Sequence, residues 1–193
     1  MSCANPIKVG LLSDYWLGVV TPDEEAHVEE HFLGCADCSA ELERVVAVAE
    51  GIRKLAAEAS LTMIVSPELL RRAAEKGMRI REYAVEPGGS VACTVTPEDD
   101  FLIGRLAADL GGASRVDLSI CNEHGVELAR LTDIPFDAGS GEVIWQQSIT
   151  YAKAAPNGCM VARLMSVEAP ATERLLGEYT FVHTRTMPGP SAW

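Results

Sequence analysis

The chain has 193 residues, with 28 acidic against 16 basic side chains, a formal net charge of −12 and a pI near 4.7. That balance argues against direct binding to DNA, RNA or an anionic membrane, all of which attract clustered Lys and Arg. No apolar run reaches the roughly 18 residues that a bilayer-spanning helix needs, and residues 1–18 lack the small-residue cleavage site of a secretion signal. A cytoplasmic protein is therefore expected. In that reducing compartment six cysteines read as metal ligands, redox thiols or small buried groups rather than as a disulfide framework.

The first half of the chain has helical texture. Lys8 to Leu17 is a short apolar-rich helix that Gly18 stops. Thr21-Pro22-Asp23-Glu24 is a helix start, with Thr21 as N-cap, Pro22 at the first helical position and Glu24 closing a capping box. The second helix runs on to Leu33 and ends at Gly34. A third is predicted from about Ala36 to Ala59, where Leu42, Val45, Val46, Ala49, Ile52 and Leu55 share one face. Ser66-Pro67-Glu68 repeats the start signal and opens a fourth helix, Leu69 to about Glu82, rich in basic residues.

After Pro87-Gly88-Gly89 the texture becomes β. Candidate strands are Ser90–Thr96, Phe101–Leu110, Arg115–Cys121, Val126–Leu131, Val143–Tyr151, Cys159–Val167 and Glu178–Thr184, separated by turn signals such as Gly111-Gly112 and Pro156-Asn157-Gly158. The expected fold is α+β: a bundle of about four helices over residues 1–85, then an antiparallel β-sandwich or barrel over 86–193. The tail Met187–Trp193 is expected to be loose.

The string His31-Phe32-Leu33-Gly34-Cys35-Ala36-Asp37-Cys38 is H-x3-C-x2-C. A His at the end of one helix and two Cys across the next turn converge on one tetrahedral zinc, and Gly34 lets the chain bend between them. Without the His, C-x2-C would equally suit a redox dithiol. The fourth position is open to Cys3, folding back from the N-terminus, or to His27, one helical turn before His31. Cys3 is preferred, because a distant ligand clamps the first helix to the second.

These residues resemble the zinc-binding anti-sigma domain. That family has an early Cys or His, a first helix ending in Tyr-x-x-Gly (here Tyr15-Trp16-Leu17-Gly18), an acidic second helix, then H-x3-C-x2-C and a long third helix. Cys3 lies a few residues further from Tyr15 than the family's first ligand does. The resemblance covers about 85 residues and implies a regulator of transcription. Its helical domain would sequester an extracytoplasmic-function sigma factor from RNA polymerase and release it on a signal. An acidic inhibitor complements the partly basic sigma surfaces that meet polymerase and promoter.

In such an architecture the β-rich part senses the signal. A metal-dependent cupin barrel is disfavoured, since only His124 and His183 lie there and no H-x-H occurs. Cys93, Cys121 and Cys159 with those two His are the soft-ligand candidates. The plainer reading makes these Cys small core residues, with Cys93 facing inward beside Val91 and Val95. Trp145 and Leu176–Phe181 read as core. No Ser/His/Asp set, paired carboxylates or phosphate loop points to catalysis, so no enzyme is expected. The competing reading is a ligand-binding or enzymatic β domain that uses the zinc module only for docking.

Overall fold

The computed structural model describes residues 3–169 and 172–186; the tail Met187–Trp193 lies outside the described residues. The chain forms two compact units, Met1–Ala57 and Glu58–Trp193. Among the described residues no helix is long and apolar enough to cross a membrane.

The first unit contains α1 (Val9–Leu17), α2 (Pro22–Phe32) and α3 (Ala36–Ala57). Gly18 ends α1 in the left-handed region at φ 69°, returning its N–H to the carbonyls of Asp14 and Tyr15. At the start of α2 the expected capping box is complete. The Glu24 N–H donates to Thr21 Oγ1 at 3.4 Å, and the Thr21 N–H donates to Glu24 Oε2 at 2.9 Å. The core is very small: Ile7, Leu12, Val28 and Cys38 are buried, with Tyr15 and Phe32 meeting edge to face at 5.9 Å.

By length, α3 extends about 33 Å and α1 only about 14 Å. The apolar stripe of α3 therefore outruns its neighbours, and Val48, Ile52 and Leu55 stay 63%, 53% and 43% exposed.

The second unit begins earlier than the change of sequence texture. It comprises β1 (Met63–Ile64), α4 (Pro67–Glu75), β2 (Ile80–Val85), β3 (Ser90–Cys93), β4 (Phe101–Ala107), β5 (Val116–Asn122), β6 (Glu127–Leu131), β7 (Glu142–Gln147), α5 (Ile149–Ala154), β8 (Gly158–Ala169) and β9 (Thr172–His183). The division thus falls at 57/58 rather than near residue 85. The reason is packing: Val65, Leu70 and Ala73 share one buried cluster with Phe101, Ile103 and Ile149.

The fourth helix also ends sooner than its pattern predicts. Gly77, at φ 75°, breaks it, and Ile80–Val85 instead pairs in parallel with β4. Arg81, read as a helical base, forks onto the Asp99 carboxylate at 3.1 and 3.2 Å.

Two sheets stack, in the orders β1-β7-β4-β2 and β3-β9-β8-β5-β6. The pairing is mostly antiparallel, with β2·β4 and β3·β9 parallel, and the described strands form a sandwich rather than a closed barrel. Leu106, Val116, Leu118, Trp145, Leu164 and Phe181 fill the space between the sheets. The other face of the first sheet is covered by α4 and α5, which explains why β4 reads as continuously apolar.

Tyr179 is fully buried, and its hydroxyl donates to the Ala107 carbonyl at 2.6 Å. Burial pushes that hydroxyl up to about 12. Beside it, a Cβ at Gly177 would stand 2.1 Å from the Tyr179 oxygen, so only glycine leaves room for this contact. On the outer side of β5, buried Asp117 accepts a forked pair of bonds from Arg115, both 3.0 Å, and the Asp133 N–H at 2.9 Å. Burial alone would raise its pKa, but those donors outweigh it and hold the carboxyl below its usual range.

Candidate metal centre

Three short pieces of the first unit meet at one point: the N-terminal segment, the last turn of α2 and the first turn of α3. His31 lies on the last turn of α2. The chain then turns at Gly34, whose N–H returns to the His31 carbonyl at 3.1 Å. Cys35 precedes α3 and Cys38 sits in its first turn. The Cys35 carbonyl is held by the Ser39 N–H at 3.2 Å and the Ser39 hydroxyl at 3.1 Å. The N-terminal segment is tied down by the Cys3 N–H, which donates to Asp37 Oδ2 at 2.9 Å.

The result is a group of one imidazole and three thiols, His31, Cys3, Cys35 and Cys38, whose ligand atoms all lie within 4.8 Å of one another. Cys3 Sγ is 3.5 Å from His31 Nε2. Zinc bonds of about 2.0–2.3 Å place tetrahedral ligand atoms roughly 3.5–3.8 Å apart, so that separation is the edge of a coordination tetrahedron. Cys38 is buried and the other three are half-buried. His27, the alternative fourth ligand, is exposed on α2 and outside the group.

The electrostatics favour a thiolate at Cys35. It sits at the N-terminal end of α3, where unpaired N–H groups and the helix dipole stabilise negative charge. The Cys38 backbone N–H, helped by the Cys3, His31 and Cys38 side chains, outweighs burial and lowers the Cys35 thiol to about 7. Cys3 moves the other way. The Asn5 backbone N–H pulls its pKa down, but burial together with Cys35 and Cys38 pushes it up. Such a mixture needs a cation to ionise completely.

Sequence reasoning brought together His31, Cys35, Cys38 and Cys3, but did not single out Asp37. Its signal was an acidic residue in the first helical turn between the two Cys, a place where carboxylates usually serve the helix itself. Here Asp37 also fixes the backbone of a ligand 34 residues away.

Among comparisons with known proteins, one bears on this site. A family described as "Putative zinc-finger" matches residues 9–39, a segment that contains His31, Cys35 and Cys38. No curated protein matches the chain. Among solved structures, the N-terminal domain of phage TP901-1 ORF48 is similar at 9% identity and a TM-score of 0.37, over 56% of this chain and 100% of its own. The V domain of amphioxus IgVJ-C2 is similar at 8% identity and a TM-score of 0.26, over 53% of this chain and 99% of its own. The donor set and the family match together identify zinc as the ion this site is built to hold.

A site with these thiols binds zinc more weakly as pH falls, because protons compete for the same sulfurs. With zinc stripped by a chelator, Cys35 is expected to be alkylated first of the three at pH 7, since it ionises at about 7. With zinc bound, all three should be protected. Mass-spectrometric mapping of limited iodoacetamide treatment checks this, and earlier modification of Cys3 would contradict it.

Proposed function

We propose that this protein is a zinc-dependent anti-sigma factor, a cytoplasmic binding protein rather than an enzyme. Its first unit holds an extracytoplasmic-function sigma factor away from RNA polymerase.

The observation that carries the reading is a zinc-clamped unit that leaves its longest apolar face uncovered. A groove of about 520 Å³ runs between α1 and α3, lined by Val9, Trp16, Leu17, Val45, Val48 and Ile52. Arg53 stacks over the Trp16 ring at 4.2 Å along its edge. Contiguous exposed apolar surface on so small a unit marks a place where another chain packs, and a helix laid into such a groove is a common mode of recognition. Elsewhere in the unit, α2 carries Asp23, Glu24, Glu25, Glu29 and Glu30 with no Lys or Arg, which suits a basic partner surface and repels nucleic acid, while the groove itself is also lined by Glu41, Arg44 and Arg53. Both features fit the role implied by the resemblance to anti-sigma domains, and the matched zinc-finger segment lies in this unit.

The zinc holds the two walls of the groove in register through Cys3 and the start of α3, so zinc loss or thiol oxidation would release the partner. The test is affinity capture from the native cell with zinc-loaded and with chelated protein. A sigma factor recovered on the loaded protein and lost on the chelated one is the expected result. Its absence from both would end the anti-sigma reading while leaving the zinc site intact.

A further inference from the structure

All three cysteines of the second unit line one cavity of about 420 Å³ at an end of the sandwich, together with Met160, Phe181 and His183. Strand register explains this gathering. Cys93 on β3 lies opposite His183 on β9, and His183 in turn lies opposite Gly158 on β8. Neighbouring strands are about 4.8 Å apart, so Cys93 and His183 leave the sheet side by side. They share the face of Phe181, whose β8 partner is Met160.

The third place in that row is blank. A Cβ on Gly158 would meet nothing closer than the Pro156 carbonyl at 4.0 Å. His183 Nε2 is buried and has no hydrogen-bond partner in the protein. Buried polar nitrogens are rarely left so, and an orphan calls for a group that is not protein.

The donors are soft and few. Cys93 is 8% exposed, and Met160 presents a thioether whose sulfur accepts one weak hydrogen bond, from the Gln147 side-chain N–H at 3.6 Å, and keeps a second lone pair. The Cys121 thiol is engaged elsewhere, with Ser119 Oγ at 3.4 Å and Arg163 Nη1 at 3.7 Å. No third carboxylate, thiol or imidazole joins Cys93 and His183 closely enough to complete a zinc set among the described residues. Zinc, which wants four donors, is therefore a poor match. A low-coordinate monovalent cation that takes thiolate, thioether and imidazole ligands is a good one.

We propose that this cavity is a second metal site, binding a soft monovalent cation of the Cu(I) class through Cys93 Sγ and His183 Nε2, with Met160 Sδ closing the set. On binding, the Cys93 thiol gives its proton to solvent and the sulfur forms the metal bond; no electron is transferred. Burial and Arg185 keep the imidazole low in pKa, hence neutral and able to ligate. Burial, with Cys159 nearby, keeps the unliganded Cys93 thiol protonated. The site stands independently of the sigma-factor reading.

The test uses the full zinc-loaded chain, titrated anaerobically with Cu(I) against bicinchoninate while released zinc is measured. Copper that enters the zinc site displaces zinc; copper in the cavity does not. The expected excess of bound copper over released zinc is about one per chain. Cys93→Ala and His183→Ala should each weaken that component by roughly 100-fold or more, at least the loss known for outer-shell partners of a metal. Met160→Leu keeps volume and fold, so a weakening there cannot come from unfolding, and Cys121→Ala should change nothing. Copper uptake that tracks zinc release one for one would overturn the proposal, as would an excess unaffected by the Cys93, His183 and Met160 variants.

Discussion

Replacing Cys38 with serine is expected to remove the zinc and unfold residues 1–57, while leaving residues 58–193 folded. Among the described residues of the first unit only Ile7, Leu12, Val28 and Cys38 are buried, and domains this small usually need a disulfide or metal to persist. A structural zinc contributes about 10–16 kcal/mol at neutral pH, as much as the whole stability of an ordinary domain. Cys38 is both a ligand and a quarter of that core, so its loss removes the clamp and leaves a polar hydroxyl among apolar side chains. The second unit has its own cores, built on Trp145, Phe181 and Ile103, and should melt as in the parent. Helical content by circular dichroism, zinc content and the number of melting transitions report the outcome. Full zinc with an unchanged melting profile would refute the assignment.

The paired substitution Val48→Glu with Ile52→Glu should leave zinc and fold in place yet strongly weaken the proposed binding of a sigma factor. Both side chains are more than half exposed, and substitutions at such positions usually move stability by less than about 0.5 kcal/mol. At an interface the same positions behave differently. Apolar anchors at the centre of an interface, the minority that carry most of the binding energy, cost about 2 kcal/mol or more each when lost, and two buried carboxylates add a desolvation penalty. Binding should fall by about 100- to 1,000-fold, measured by titration of the purified sigma factor. Unaltered affinity would move the interface off the α1–α3 groove.

What could be read from the sequence was local. The Thr21–Glu24 box, the Gly18 stop and the H-x3-C-x2-C spacing each act within one or two turns, so short-range pattern sufficed for α1, α2 and three ligands. The apolar stripe of α3 was also legible, but periodicity reports that a face is apolar and not what covers it. Ile80–Glu82 was read as the end of a helix because the true partner of β2, β4, lies beyond β3 and pairs in parallel, a contact no local signal encodes. The first half of the six-residue α5, Ile149–Tyr151, was absorbed into a strand, although Ser148, which caps it by accepting the Tyr151 N–H at 3.2 Å, marked the break. Cys3 stood apart for the same reason as β2. It is 28 residues from His31, so spacing alone left His27 as an alternative to the preferred Cys3; the Asp37 bond to the Cys3 N–H is what fixes the N-terminal segment.

The most direct measurement on the zinc centre is X-ray absorption at the zinc edge of the purified protein. Cys3, Cys35, Cys38 and His31 as the ligand group require three sulfurs at about 2.3 Å and one nitrogen at about 2.0–2.1 Å. Two sulfurs with two nitrogens would replace Cys3 with a second imidazole and contradict the clamp between the N-terminal segment and α3.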